Sequence, residues 1–159
     1  MPRILVVEDD TLICQMVADC VREALAADVY CALTGTDGAR LIMGYKFDLA
    51  VIDVLLPGVS GIALAELAAN ENIPVLLTSG HPMLQRELAR FDFPTLPKPF
   101  DLDVLVQKAS SIINDTKATI RRVKTSAADM RRHLDALEVA LEESCRLVAE
   151  AKAGTLPKH

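Results

Sequence analysis

The sequence lacks any apolar run that approaches the ~20 residues a helix needs to cross a bilayer, so no membrane insertion is expected. It also lacks a recognisable signal peptide, because the run Ile4–Val7 is short and is followed by acids. Metal-binding spacings such as C-x-x-C are absent as well. We interpret the cysteines as reduced, mostly buried thiols of a cytoplasmic protein: Cys14, Cys20, Cys31 and Cys145.

An excess of positive charge is also missing. The net charge of −5 argues against a surface devoted wholly to nucleic acid, and no helix-turn-helix follows the basic run Arg121 to Arg132, so no DNA partner is expected. Hydrophobic residues make up 51% of the 159 positions, which is enough for a packed core. A chain of this length suits one domain with an appendage.

Short apolar runs recur along the first hundred residues and predict strands. They lie at 3–7, 29–33, 47–52, 73–77 and 93–96. Patterns typical of helices separate these strands. The first helix is predicted to begin with Thr11 as its N-cap, and the second to end near Gly44. Two more are predicted at Ile62–Ala69 and Met83–Arg90, and the last begins after Asp101. This alternation predicts an α/β fold with a parallel sheet that is covered by helices on both faces.

Polar residues follow four of the predicted strands, at the sheet edge where open α/β folds bind ligands. They are Glu8, Asp9, Asp10, Asp53, Thr78, Ser79 and Lys98. Clustered carboxylates repel one another, and a divalent cation such as Mg²⁺ relieves that repulsion. A carboxylate can attack a phosphoryl group, while an ammonium and a hydroxyl bind the oxygens of the transferring group. The set therefore predicts phosphoryl-transfer chemistry.

Four motifs carry a family resemblance: "ILVVEDD", "DLAVIDVLLPGVSG", "PVLLTSG" and "LPKPF". In this order and spacing they resemble the receiver domain of two-component response regulators, from about residue 2 to 115. The resemblance implies a flavodoxin-like, doubly wound five-stranded parallel sheet in the order 2-1-3-4-5. It also implies that Asp53 accepts a phosphoryl group from a sensor histidine kinase or a phosphotransfer protein.

The resemblance further implies a metal site for Mg²⁺ or Mn²⁺. Asp9 matches the direct ligand, and Glu8 matches the acid that acts through water. Asp53 itself and the backbone carbonyl of Leu55 would complete the set, while Asp10 falls outside the acidic pair.

The sensing residues are also implied by the resemblance. Ser79 matches the switch hydroxyl, and Thr78 is the alternative, which we expect to point to the other face because neighbours in a strand alternate. Lys98 matches the family's lysine, and the Lys98–Pro99 bond is expected to be cis. Thr95 stands where the family usually has an aromatic residue, so the usual aromatic rotation cannot report phosphorylation.

Beyond the receiver domain, expected at 1–115, the sequence predicts a helical coiled-coil extension at 116–153 and a disordered tail at 154–159. Glycine and proline are absent from that extension. Apolar residues recur at heptad positions a and d. Position a holds Ile113, Ile120, Ala127, Leu134, Leu141 and Val148, and position d holds Thr116, Val123, Met130, Leu137, Ser144 and Ala151.

An isolated helix cannot bury such a seam, so a homodimer through this extension is the simplest expectation. Charge changes sign along it, since Lys117 to Arg132 is mainly basic and Asp135 to Glu150 is mainly acidic. This favours antiparallel pairing slightly, and parallel pairing remains an alternative. The apolar band widens after Leu134, which also allows a four-helix arrangement or a partner protein.

Together these features predict a dimeric, stand-alone signalling switch with its output through protein contacts. We do not expect an enzyme beyond the receiver's own phosphoryl transfer and dephosphorylation. The alternative is a constitutive coiled-coil scaffold with a vestigial receiver.

Overall fold

The structure, a computed structural model, describes residues 1–80 and 91–154. The predicted helix Met83–Arg90 and the tail residues 155–159 lie outside the described residues. The chain divides into two compact units, Met1–Thr116 and Lys117–His159.

Five strands and four helices make up the described chain. The strands are β1 (Arg3–Val7), β2 (Asp28–Ala32), β3 (Leu49–Asp53), β4 (Val75–Ser79) and β5 (Thr95–Pro97). The helices are α1 (Thr11–Leu25), α2 (Gly35–Gly44), α3 (Gly61–Asn70) and α4 (Leu102–Gly154).

The strands form one sheet in the order β2-β1-β3-β4-β5, and every neighbouring pair is parallel. This confirms the predicted α/β fold and its strand order. The carboxyl ends of the strands therefore meet at one edge, where the register pairs Asp53 with Thr78 and Ser79 with Pro97.

Alternate strand residues enter two apolar cores, one on each face of the sheet. The first core joins the sheet to α2 and α3 and includes Val7, Ile42, Ile52, Leu64 and Leu77. The second joins it to α1 and the first turns of α4 and includes Val6, Val17, Val51, Leu105 and Ile113. Burial on both faces explains why these strands read as continuous apolar runs.

The N-cap of α1 differs from the prediction. Asp10, not Thr11, caps this helix, because its carboxylate accepts hydrogen bonds from the N–H groups of Leu12 at 2.9 Å and Ile13 at 3.0 Å. Thr11 is the first helical residue. The third acid of the "EDD" triplet therefore fixes where α1 begins.

The predicted bounds of three strands were also wrong. β3, β4 and β5 each begin two residues later than predicted. β3 also ends one residue later and β4 two residues later, so Asp53, Thr78 and Ser79 belong to strands instead of following them. All three are nearly fully buried. An apolar pattern alone predicts a strand end too early where the last strand residues are polar and buried.

The cysteines are not mostly buried, contrary to expectation. Cys14 is buried and Cys20 is half-buried, whereas Cys31 and Cys145 are exposed. Cys31 lies on β2, which is an edge strand of the sheet and leaves part of its surface open.

In the second unit the described chain is helical up to Gly154. Large apolar side chains on it are about half exposed or more: Ile120, Val123, Met130, Leu134, Leu137, Val139 and Leu141. Across the described residues, no helix combines the length and the apolar character needed to span a bilayer.

Candidate functional site

Three carboxylates converge where the sheet ends. Glu8 follows β1, Asp9 comes next, and Asp53 is the last residue of β3. One carboxylate oxygen from each lies within 4.8 Å of the others. Glu8 and Asp53 are buried, whereas Asp9 is exposed. The cluster is therefore open to solvent on the side of Asp9 and enclosed elsewhere.

Lys98 reaches this cluster from the segment after β5. Its Nζ donates to Oδ2 of Asp53 at 2.5 Å and to Oε2 of Glu8 at 2.6 Å. The lysine side chain is 19% exposed, and the two carboxylates are 6–7% exposed. A buried ammonium between two buried carboxylates offsets part of their mutual repulsion. The Lys98–Pro99 bond is cis, as expected.

The backbone around Asp53 fixes the direction of its carboxylate. Oδ1 of Asp53 accepts from the N–H of Leu55 at 3.0 Å. The N–H of Val54 donates to the carbonyl of Thr78 at 2.9 Å, which continues the pairing of β3 with β4. With one oxygen bound to backbone and the other to Lys98, Asp53 is held in a single orientation.

Gly61, the first residue of α3, lies against the same backbone. A Cβ at Gly61 would stand 2.0 Å from the carbonyl oxygen of Asp53 and 2.7 Å from Cα of Val54. Only glycine permits this approach. Sequence analysis missed this role, although the "GVSG" loop that follows the strand of Asp53 carried the signal.

Burial and charge shift two pKa values at the site. Burial raises the pKa of Glu8 above 4.5, the nearby charge of Asp53 adds to the shift, and the hydrogen bond from Lys98 opposes it. Burial alone would lower the pKa of Lys98. Hydrogen bonds and the charges of Asp53 and Glu8 together outweigh it and raise that pKa above 10.5. Lys98 is therefore a fixed positive charge.

Both candidate hydroxyl residues lie at the end of β4, and both are buried. The register places Thr78 beside Asp53, so the alternation of β4 puts Thr78, not Ser79, on the face of Asp53. Ser79 is the last strand residue, and its carbonyl accepts from the N–H of Lys98 at 2.7 Å. Both residues thus stay candidates, each connected to one member of the cluster.

Thr95, the position without an aromatic side chain, begins β5 and pairs with Leu77. It is half-buried. The edge strand β5 therefore begins with a small polar side chain at this position.

The sequence matches the response regulator receiver domain family over residues 4–110. The chain belongs to this family. Its receiver domain is a phosphorylation-dependent signalling domain and not a metabolic enzyme.

Curated relatives agree with this assignment. The DNA-binding dual master transcriptional regulator RpaA of Synechocystis is 29% identical over 133 residues, which cover 79% of this chain and 55% of that protein. The transcriptional activator protein PfeR of Pseudomonas aeruginosa is 32% identical over 158 residues, which cover 96% of this chain and 46% of that protein. This chain spans about half the length of these relatives.

Solved structures share the fold. The receiver domain of the Francisella response regulator 1452 superposes with a TM-score of 0.66 at 28% identity, covering 73% of this chain and 99% of that one. A fusion that contains the yeast Spc42 trimeric coiled coil has a TM-score of 0.70 at 22% identity and covers 93% of this chain and 96% of that one. This second likeness shows a shared fold that extends into the helical segment.

Proposed function

We propose that Asp53 accepts a phosphoryl group from a sensor histidine kinase or a phosphotransfer protein, and that the chain is a phosphorylation-dependent switch. The observation that carries this proposal is the placement of Lys98 Nζ at 2.5 Å from a buried Asp53 carboxylate beside Glu8 and Asp9. An Asp53 oxygen attacks phosphorus while the phosphorus–nitrogen bond of the donor phosphohistidine breaks. Lys98 then binds an oxygen of the transferred group.

The donor set suits Mg²⁺ or Mn²⁺. Glu8, Asp9 and Asp53 offer carboxylate oxygens within 4.8 Å of one another, the hard ligands that such cations prefer. The backbone carbonyl of Leu55 is the fourth proposed ligand. When bound, the cation supplies positive charge that offsets both carboxylate repulsion and the charge of the phosphoryl oxygens. The ammonium of Lys98 supplies a second positive charge from the protein itself.

A hydroxyl at the end of β4 is proposed to sense the phosphoryl group by donating a hydrogen bond to it. We assign this role to Ser79, because its backbone is tied to Lys98 and its position matches the family's switch residue. Thr78 is the competing residue, since the register places it beside Asp53. Substitution of each residue separately decides between them.

The phosphodonor is proposed to dock beside the site, in the cytoplasm. An apolar groove adjoins Lys98 on the receiver unit and is lined by Ile13, Met16, Gly80, Lys98, Pro99 and Phe100. Met16 is 49% exposed and so presents apolar surface beside Lys98. A helix of the donor protein that lies in this groove would bring its phosphohistidine to Asp53.

The output is proposed to be a protein contact, made by a homodimer that forms through the helical segment 116–153. The exposed apolar side chains of that helix support self-association.

A second candidate output is DNA binding, favoured by the name of the relative RpaA and by the basic residues from Lys117 to Arg132. Titration of the phosphorylated chain into labelled duplex DNA at two salt concentrations tests it. No salt-dependent binding is expected.

The direct test of the switch uses acetyl phosphate, a small phosphodonor, with and without Mg²⁺. Intact mass spectrometry is expected to show one added phosphoryl group on the wild-type chain with Mg²⁺ and none on Asp53→Asn. Asp48→Asn is a matched control, because Asp48 accepts a hydrogen bond from the backbone N–H of Arg3 at the amino-terminal edge of the sheet, opposite the cluster. A wild-type chain that stays unmodified would instead support a scaffold with a vestigial receiver.

A further inference from the structure

The helical unit carries one continuous apolar stripe. Its described members are Ile120, Val123, Met130, Leu134, Leu137 and Leu141, each between 49% and 64% exposed. Their spacings of three, four and seven residues place them along one side of the helix. A stripe of this length on a helix is unfavourable in water and is stabilised when another helix covers it.

Charges along the helical unit change sign near the centre of the stripe, and those at position e, Lys117, Lys124, Arg131 and Glu138, lie beside it. The basic residues precede Leu134 and are Lys117, Arg121, Arg122, Lys124, Arg131 and Arg132, with Asp129 as the one acid among them. The acids follow Leu134 and include Asp135, Glu138, Glu142 and Glu143. The helix thus has a basic half and an acidic half on either side of one point.

This division of charge favours one partner for the stripe, namely a second copy of the same helix that runs in the opposite direction. Parallel pairing would set basic half against basic half and acidic half against acidic half. Antiparallel pairing about a twofold axis near the change of sign sets each basic half against an acidic half. We propose that two copies of this chain pair antiparallel along the stripe. This pairing rests on the homodimer of the proposed function.

The heptad pattern then selects one register. In an antiparallel pair, position a of one helix packs against position d of the other. One register centred near the change of sign sets Leu134 against the partner's Leu137 and Met130 against the partner's Leu141. It also brings Arg131, at position e, beside the partner's Glu138, and the twofold axis repeats this attraction.

The neighbouring register, shifted by one heptad, is less favourable. It sets Leu134 against the partner's Met130 and brings Arg131 beside the partner's Arg131. Two like charges then meet on the twofold axis, which costs free energy instead of contributing it. A shift of one heptad in the other direction brings Glu138 beside the partner's Glu138. The charges at positions 131 and 138 together therefore favour the register with two Leu134–Leu137 contacts at the centre.

Disulfide trapping in the full chain tests the orientation. The parent carries Cys20→Ser, Cys31→Ser and Cys145→Ser, so that only buried Cys14 remains. Met130→Cys alone and Leu141→Cys alone are expected to form no covalent dimer on oxidation, because like positions lie apart. Met130→Cys with Leu141→Cys is expected to form a covalent dimer, which a non-reducing gel detects.

Each other outcome overturns a defined part of the account. Covalent dimers of the single variants would show parallel pairing and overturn the proposed orientation. A monomer mass for the parent in sedimentation equilibrium would overturn the homodimer itself, and a trimer mass would overturn twofold pairing. Phosphorylation of the same variants, followed by intact mass, is independent of all three results and tests only the receiver.

A charge exchange tests the register. Arg131→Glu places two pairs of acids together and is expected to weaken the dimer about tenfold. Arg131→Glu with Glu138→Arg restores both attractions and is expected to return the dissociation constant to the wild-type value. If the double variant is as weak as the single one, the register is wrong.

Discussion

Nζ of Lys98 lies 2.5 Å from Oδ2 of Asp53, although the two residues stand 45 positions apart in the chain. The same nitrogen binds Glu8, which is 90 positions away. Parallel strands bring the three side chains to one edge of the sheet, and burial makes them one electrostatic unit. The ammonium of Lys98 therefore offsets part of the repulsion between the two carboxylates.

Replacement of Lys98 by Met is expected to destabilise the receiver. It leaves Glu8 and Asp53 buried without the ammonium that offsets their repulsion, at a cost of about 2–4 kcal/mol in the free energy of unfolding. Urea unfolding in the presence of a chelator measures this loss, and added Mg²⁺ is expected to reduce it.

Lys46→Met is the matched control for that loss. Lys46 forms an ion pair with Glu71 at 3.3 Å on the surface, where such pairs contribute less than ~1 kcal/mol. If both substitutions lowered the free energy of unfolding equally, the Lys98 cluster would have no special electrostatic role.

Gly61→Ala is expected to lower stability and disturb Asp53. The added Cβ meets backbone atoms of Asp53 and Val54, which cannot move without displacing β3, and such overpacking costs about 1–3 kcal/mol. Gly44→Ala has no atom within 4 Å of its new Cβ and is expected to change the free energy of unfolding by less than ~1 kcal/mol. Equal stability of the two variants by thermal unfolding would contradict the close approach.

The hydroxyl assignment leads to a prediction about beryllofluoride, a phosphoryl mimic. Ser79→Ala is expected to weaken its Mg²⁺-dependent binding about tenfold, the effect of losing one hydrogen bond to a charged group. Thr78→Ala is expected to bind within about twofold of the wild type. Isothermal titration calorimetry measures both affinities. The reverse order would assign the sensing hydroxyl to Thr78.

The sequence predicted the order of strands and helices because burial on both faces leaves an unmistakable apolar pattern in β1, β3 and β4. It placed the strand ends less well, since the buried polar residues Asp53 and Ser79 interrupt that pattern. It could not foresee that Lys98 binds two carboxylates, because a contact over 90 positions depends on the whole sheet. Local signals also predicted the N-cap at Thr11, one residue too late, because Asp and Thr are both common N-cap residues.

The cysteines provide a chemical test of the fold. Burial, together with the neighbouring Cys31, raises the pKa of Cys14 to about 12. Its thiolate is then scarce at pH 8, and iodoacetamide is expected to modify Cys31 and Cys145 while Cys14 stays unlabelled. Peptide mass spectrometry measures each site, and urea is expected to make Cys14 reactive. Labelling of Cys14 as fast as Cys31 in the native protein would contradict its burial.

The most direct measurement of the central claim is the location of the phosphoryl group. Borohydride reduces an aspartyl phosphate to homoserine, which peptide mass spectrometry detects at a single residue. After phosphorylation with acetyl phosphate and Mg²⁺, homoserine is expected at position 53 alone. Homoserine at Asp9, or 2-amino-5-hydroxypentanoate, the reduction product of a glutamyl phosphate, at Glu8, cannot be mistaken for this result, because those residues lie in a different peptide. Reduction products at any other acid, or at none, would contradict the account of Asp53 as the phosphoacceptor.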